Sequence, residues 1–304
     1  MTAHPPYRTG FVTLVGRPNV GKSTLMNAFM GQKIAAVSPR PQTTRHRQLG
    51  ILTTPQAQII FMDTPGMHKA HHKLGEYMNE VASATLPDAD VVVWLVDISQ
   101  PPNEEDQALA GRIRELEPAP PVILAMNKVD LVPVDELGAN QLAFEALVPR
   151  ASPIQLSAQT GYQCDRLLGE IIQRLPEGPA LFDEEQITDL YEREIAVDLI
   201  REAALVHLRD EVPYALAVRL DEYTERGETG AYIVATLFVE RETQKPIVIG
   251  QGGEMLKKIG SSARKEIEAM SGRKVFLDLR VKVEKNWRNS PDALRQFGYT
   301  RPEE

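Results

Sequence analysis

Eight residues near the start of the chain carry the first recognisable chemistry: Gly16, Arg17, Pro18, Asn19, Val20, Gly21, Lys22 and Ser23. They lie between the β-prone run Phe11–Val15 and Thr24–Met30, a stretch of good helix formers. In that setting the glycines allow a tight loop whose amides, with those of the helix N-terminus beginning near Thr24, cradle phosphate oxygens. Lys22 then reaches the β and γ oxygens, and the Ser23 hydroxyl ligates Mg²⁺.

Two later runs narrow the ligand. Ile59–Met62 reads as a buried strand that ends in Asp63, Thr64, Pro65 and Gly66, followed by Met67. Asp63 would hold the metal through water, and Gly66 lets its own amide approach a γ-phosphate. Val122–Met126 reads as another strand, ending in Asn127, Lys128, Val129 and Asp130. A carboxylate at Asp130 accepts from N1 and the exocyclic amine of guanine, whereas adenine presents the opposite pattern. Ser157 and Ala158, after the strand-like Pro153–Leu156, offer a backbone amide to the guanine oxygen. Each run follows a β-strand, where ligands bind in open α/β sheets. The expected ligands are GTP, GDP and Mg²⁺, with Lys22, Asp63 and Gly66 at the reacting phosphate.

The elements that must position these residues follow from pattern. Gln48–Thr53 and Gln56–Met62 flank Thr54-Pro55 and predict a hairpin, which places one antiparallel strand on an otherwise parallel α/β sheet with helices on both faces. The Pro/Gly cluster at Pro176–Pro179 marks a boundary, giving a nucleotide domain over 1–178 and a second domain over 179–304. In the second, helical spacing predicts a helix over Asp183–Leu208, and strands are expected at Val212–Leu220 and Ala231–Glu240 around a polar Asp221–Gly230 loop.

Next comes the apolar, strand-like Pro246–Ile249, then Gly250, Gln251, Gly252 and Gly253, then a helix carrying Met255, Lys257 and Lys258. A GxxG loop lets a nucleic-acid backbone approach closely, and the helix amides and lysines complement its phosphates. A second helix at Ser262–Met270 and a strand at Val275–Val283 complete an α+β pattern that resembles a type II KH domain. Ile249 and Met255 could line a base groove or the core. Residues 241–290 hold twelve Lys and Arg against six Asp and Glu, so a local balance of +6 sits in a chain of −8 and the remainder carries −14. That asymmetry points one end of the molecule at a polyanion.

Composition excludes other classes. With 42% hydrophobic and 25% charged residues the chain fits a soluble globular protein rather than a collagenous or disordered one. No apolar run reaches the ~18–20 residues of a membrane-spanning helix, and Met1–Gly10 does not read as a secretory leader. Cys164 is the single cysteine, which excludes an intrachain disulfide and a multi-thiolate zinc site and fits a reducing cytoplasm. His68, His71 and His72 read as solvated residues of a polar loop, so no zinc is assigned.

The nucleotide motifs resemble the translation-factor-like branch of GTPases. With the GxxG half added, the chain resembles the Era family of ribosome-assembly GTPases through Gly16–Ser23, Gln42–Arg45, Asp63–Gly66, Asn127–Asp130, Gly250–Gly253 and the tail from Asn286-Trp287-Arg288 to Tyr299. The resemblance implies that Ala36–Arg45 is a first switch whose Thr44, in preference to Thr43, completes the Mg²⁺ shell, and that Met67–Lys73 is a second. Many GTPases carry a water-orienting glutamine where this chain has Met67, so intrinsic hydrolysis should be slow. Asn19 matches a residue that helps ligate K⁺ in potassium-stimulated relatives. The family further implies RNA binding near the 3′ end of small-subunit ribosomal RNA, a role in 30S subunit assembly, and peripheral contact with the inner membrane by a cytoplasmic monomer. The rival reading is a non-catalytic RNA-binding scaffold with a vestigial nucleotide site; GTP turnover separates the two.

Overall fold

In a computed structural model, residues 6–38, 40–133, 137–227 and 229–300 are described; Pro39 of the first-switch segment and the first half of Met1–Gly10 lie outside them. Contacts divide the chain into two compact units: the chain through Gln32 with Thr44–Lys69 and Met78–Asp189, and Lys33–Thr43 with Ala70–Tyr77 and everything from Leu190.

The first unit is built on a six-stranded sheet. Its strands are β1 (Arg8–Val15), β2 (Gln48–Thr53), β3 (Ala57–Asp63), β4 (Val91–Asp97), β5 (Val122–Asn127) and β6 (Ser152–Gln155), in the order β2-β3-β1-β4-β5-β6. Only β2 runs antiparallel, in the expected hairpin with β3. Every residue of β3 and β4 is buried, as continuous apolar runs covered on both faces should be. The helices are α1 (Lys22–Met30), α2 (Lys73–Ala84, which crosses the division between units), α3 (Glu104–Arg114), α4 (Leu137–Leu147) and α5 (Cys164–Arg174). Strand order reverses direction about β1, which opens the ligand crevice at the carboxyl ends of β1, β3, β4 and β5. Cys164 is buried at the start of α5, and burial pushes its thiol pKa up.

The second unit has a three-stranded sheet, β7 (Ala217–Arg226), β8 (Gly230–Val239) and β9 (Lys274–Val283), with β7 antiparallel and β9 parallel to the central β8. Its helices are α6 (Glu192–His207), α7 (Lys245–Ile249), α8 (Glu254–Ser271) and α9 (Pro291–Gln296). Alternate residues Ala231, Ile233, Ala235, Leu237 and Val239 of β8 face Leu199, Ile200 and Ala203 of α6 and Ile259, Ala263 and Ile267 of α8 in one core. The tail closes a further aromatic cluster: Trp287 is fully buried between Phe297 and Tyr299, and its Nε1 donates to Ala215 O at 2.9 Å.

Four expectations are corrected. The helix after the linker begins at Glu192 rather than Asp183, because Glu194 caps it by accepting from Tyr191 N at 2.8 Å. Residues 181–189 instead run beside the outer strands: Ile51 N donates to Ile187 O at 2.8 Å, and Gln58 Oε1 accepts from Leu181 N and Phe182 N. By their contacts residues 179–189 group with the first unit. Residues expected as an Asp221–Gly230 loop mostly extend β7 past an irregularity at Leu220/Glu222, since cross-strand pairing overrides the polarity of that stretch. Pro246–Ile249 is helical, with Pro246 in the first turn where its fixed φ favours a helix. Finally, the two helices expected after the GxxG are one: Ile259, Ala263 and Ile267 keep a continuous buried stripe through Gly260, at a penalty of about 1 kcal/mol for the glycine.

The Trp287 cluster yields a test. Trp287→Ala should destabilise the second unit by about 3–5 kcal/mol, read by urea unfolding, whereas a loss under 1 kcal/mol would show that the tail is not part of this core.

Candidate functional site

The P-loop connects β1 to α1, whose first residue is Lys22 and whose N-terminal amides have no side-chain cap. Those orphan donors are what a phosphate can satisfy. Lys22 is buried, and its Nζ donates to Gly16 O at 3.0 Å and Arg17 O at 3.2 Å, across the loop it would share with a triphosphate. Burial pulls its pKa down from 10.5 to about 8, with Asp63 offsetting part of that effect.

Asp63 ends β3, fully buried, and burial raises its carboxyl above the usual range despite Lys22 and three hydrogen bonds. Its Oδ2 accepts from Ser23 Oγ at 2.7 Å and from Thr44 Oγ1 at 3.3 Å, and the two hydroxyls are 2.9 Å apart. Asp63 Oδ1 is buried with no hydrogen-bond partner among the described residues. An acid short of positive charge beside two hydroxyl oxygens fits a small hard dication, which takes oxygen ligands. Of the two candidate threonines, Thr44 points into this group, while Thr43 Oγ1 donates to Arg40 O at 2.9 Å.

Gly66 passes so close to the P-loop that a Cβ there would lie 2.6 Å from Pro18 N, which accounts for glycine at this position. The Thr64 hydroxyl donates to Leu14 O at 3.0 Å. Met67 is buried in the first core and offers nothing polar for orienting water. His68 Nδ1 lies 3.0 Å from Gly66 O, and His72 Nδ1 accepts from Gly75 N at the start of α2. Asn19 adopts a left-handed conformation (φ 64°) at the turn of the loop, and Val20 is fully buried.

On the base side, Asn127 ties two loops together: Nδ2 donates to Val20 O at 2.7 Å and Oδ1 accepts from Ala158 N at 2.8 Å. Ser157 N donates to Tyr162 O at 3.0 Å. Both amides are thus hydrogen-bonded within the protein, as buried polar groups normally are. Asp130 and Val129 lie in a short turn after Lys128, with Asp130 exposed at the rim. The sequence reading missed Asp97 at the end of β4, which pairs with Lys128 Nζ at 2.7 Å and Arg17 at 3.9 Å. Burial acts to raise the Asp97 pKa, but Lys128 and Ser99 outweigh it and hold it low. Its place at the end of a buried parallel strand was the available signal.

In the second unit, Gly250 to Gly253 form a tight turn between α7 and α8, with Gly252 and Gly253 at φ 59° and 85°. Gly253 and Lys257 line a groove of about 410 Å³ whose other wall is Leu277 and Leu279 of β9, with Arg264 and Phe276 at its margins. Gln251 and Lys258 are exposed beside it, Ile249 is half-buried, and Met255 packs on the core. Arg264, Phe276 and Leu279 were not singled out from sequence; only the pairing of β9 with the helix after the GxxG reveals them.

A buried metal-ready carboxylate behind a P-loop, and a glycine-gated groove beside a basic helix, define a P-loop GTPase domain followed by a KH domain. Family models agree: a 50S ribosome-binding GTPase model matches residues 11–128, and a KH domain model matches 211–288. The chain is 43% identical to the GTPase Era of Heliobacterium modesticaldum over 96% of this chain and 97% of that one. It is 45% identical to the GTPase Era of Geobacter metallireducens over 97% and 99%. Among solved structures it is similar to Era in complex with MgGDPNP and nucleotides 1506–1542 of 16S ribosomal RNA (38% identity, TM-score 0.91, 97% of this chain and 99% of that one). It is equally similar to a variant of Aquifex aeolicus Era bound to GDP and AlF4⁻ (38% identity, TM-score 0.90, 96% and 99%). The chain belongs to the Era family of GTPases, which are GTP hydrolases.

The buried lysine gives a prediction with a definite sign. Below pH 8 Lys22 is protonated in both the folded and unfolded chain, so its burial penalty is present in full; the penalty is relieved as pH rises from about 8 to 10.5. Lys22→Met should therefore stabilise the nucleotide-free protein by roughly 1–3 kcal/mol at pH 7, with a smaller gain above pH 8. Nucleotide affinity should fall about 100-fold. Denaturant unfolding across pH and equilibrium nucleotide binding check both parts; a destabilised variant would show that the ammonium is not strained.

Proposed function

We propose that the protein is a GTP-driven switch that binds single-stranded RNA near the 3′ end of small-subunit ribosomal RNA and acts in assembly of the 30S subunit. The observation that carries the nucleotide half is the convergence of Ser23 and Thr44 on Asp63 Oδ2, beside the buried and unpartnered Oδ1. Mg²⁺ bound there would bridge phosphate oxygens and neutralise charge on the transferred group. Lys22 then holds the β and γ oxygens, Gly66 leaves its amide room beside the γ-phosphate, and the Asp130 carboxylate accepts from guanine. Thr44 would tie the first switch to the γ-phosphate through the metal, so that hydrolysis loosens that segment.

The RNA half rests on the groove between α8 and β9 and on the +6 balance of residues 241–290. A KH groove clamps about four nucleotides beside its GxxG, and the solved relative carries a 16S ribosomal RNA segment. Among the described residues no helix is long and apolar enough to cross a membrane. We place the protein in the cytoplasm, where any contact with the inner membrane would use the basic stretch.

An oligonucleotide matching the 3′ end of small-subunit ribosomal RNA should stimulate GTP turnover several-fold. Gly253→Asp should abolish that stimulation while leaving basal turnover intact, because it sets a carboxylate against the RNA backbone in a position remote in sequence from the P-loop. Turnover that ignores the RNA in wild type would reduce the protein to two tethered, uncoupled functions, and no turnover at all would favour the scaffold reading.

Met67 leaves water-orientation to something other than its own side chain, and Asn19 turns the P-loop where a monovalent cation could serve. Turnover in KCl should exceed that in NaCl about tenfold or more, and Asn19→Ala should remove the difference. Equal rates in the two salts would dismiss the cation.

A further inference from the structure

We propose that Arg201 is a positioning residue for Thr44, which it aims by holding the carbonyl of the preceding residue, and so sets how well Thr44 meets Mg²⁺ with GTP. The proposal rests on Thr44 being a metal ligand. Lys33–Thr43, the segment leading to Thr44, belongs by its contacts to the second unit, whereas Thr44 belongs to the first. The junction between the two units is here a single peptide bond.

Arg201 lies on α6 and is 3% exposed. Its guanidinium donates to Gln42 O at 2.8 Å and to Thr43 O, and Asp198 Oδ1 accepts from it at 3.1 Å. The planar fork of an arginine fixes two acceptors at once. Thr43 C=O and Thr44 N–H share one rigid peptide plane. Pinning the Thr43 carbonyl therefore fixes the plane from which the Thr44 side chain departs, and only the Thr44 torsions remain to aim its hydroxyl. Gln42 is held in a left-handed conformation (φ 63°), an uncommon one that the clamp helps to maintain.

The other end of the segment is fastened too. Glu202, next on α6, accepts from Val37 N at 3.1 Å and from Lys33 Nζ at 2.7 Å, and Lys33 also reaches Glu266 of α8 at 2.9 Å. Helix α8 begins directly after Gly253 of the RNA groove.

The test is equilibrium binding to the full-length chain, titrating Mg²⁺ with a fluorescent non-hydrolysable GTP analogue and, separately, with fluorescent GDP. Arg201→Met should weaken the analogue about tenfold or more and raise the Mg²⁺ needed for half-saturation, while GDP affinity stays within about twofold. Arg201→Lys should recover part of the loss, since an ammonium can hold one of the two carbonyls; being the milder change, it carries the comparison if the methionine variant unfolds. Thr44→Ala should reproduce the analogue-specific loss. If Thr44→Ala weakens the analogue and the Arg201 variants do not, the positioning role is overturned while the metal reading stands. Equal losses for GDP and the analogue would make Arg201 a merely structural residue. No effect of Thr44→Ala would remove the metal ligand on which the proposal rests.

Discussion

A fully buried carboxylate with an unpartnered oxygen is the constraint around which the nucleotide half is organised. Burial raises the Asp63 pKa and lowers that of Lys22; the attraction between the two offsets only part of that burial, so each still lacks a full counter-charge. A dication and a polyphosphate supply both together. The rest of the first unit keeps that imbalance in place: β3 is buried along its whole length and ends at Asp63, the uncapped α1 starts at Lys22, and Asn127 ties Val20 to Ala158, linking the phosphate and base loops.

How much of this could be read in the sequence depended on where the signal lies. The phosphate and base motifs were legible because fixed spacings at the ends of β1, β3 and β5 need no knowledge of long-range contacts. The hairpin of β2 and β3 was legible from Thr54-Pro55. Short apolar runs were not: Pro246–Ile249 contains too few residues for a period of two to be told from one of 3.6, and the proline in its first turn decided for helix. The Gly260-Ser261 pair looked like a break, yet burial on one stripe carried α8 through it. Asp183-Glu184-Glu185 looked like a helix start, but residues 181–189 found partners on β2 and β3 instead. Side chains that meet only through tertiary structure, such as Asp97 with Arg17, or Phe276 with Tyr232, were invisible to a linear reading.

The same limit explains the most consequential difference. By sequence, residues 33–43 lie inside the nucleotide half, between P-loop and sensor. By contact they are part of the RNA-binding unit, bound through Lys33, Val37, Gln42 and Thr43 to two of its helices. The segment leads directly into Thr44, the residue proposed to meet the metal, which is the proposed route for linkage. Whatever favours the ordered segment favours the metal-bound triphosphate, and the converse must hold by the same free energy.

That reciprocity is the central claim, and its direct measure is the affinity for a 3′-end ribosomal RNA oligonucleotide in the presence of GDP and of a non-hydrolysable GTP analogue, paired with the affinity for the analogue with and without RNA. The account predicts that the two ratios are equal and depart from one by about fivefold or more. Identical RNA affinity in both nucleotide states would contradict it.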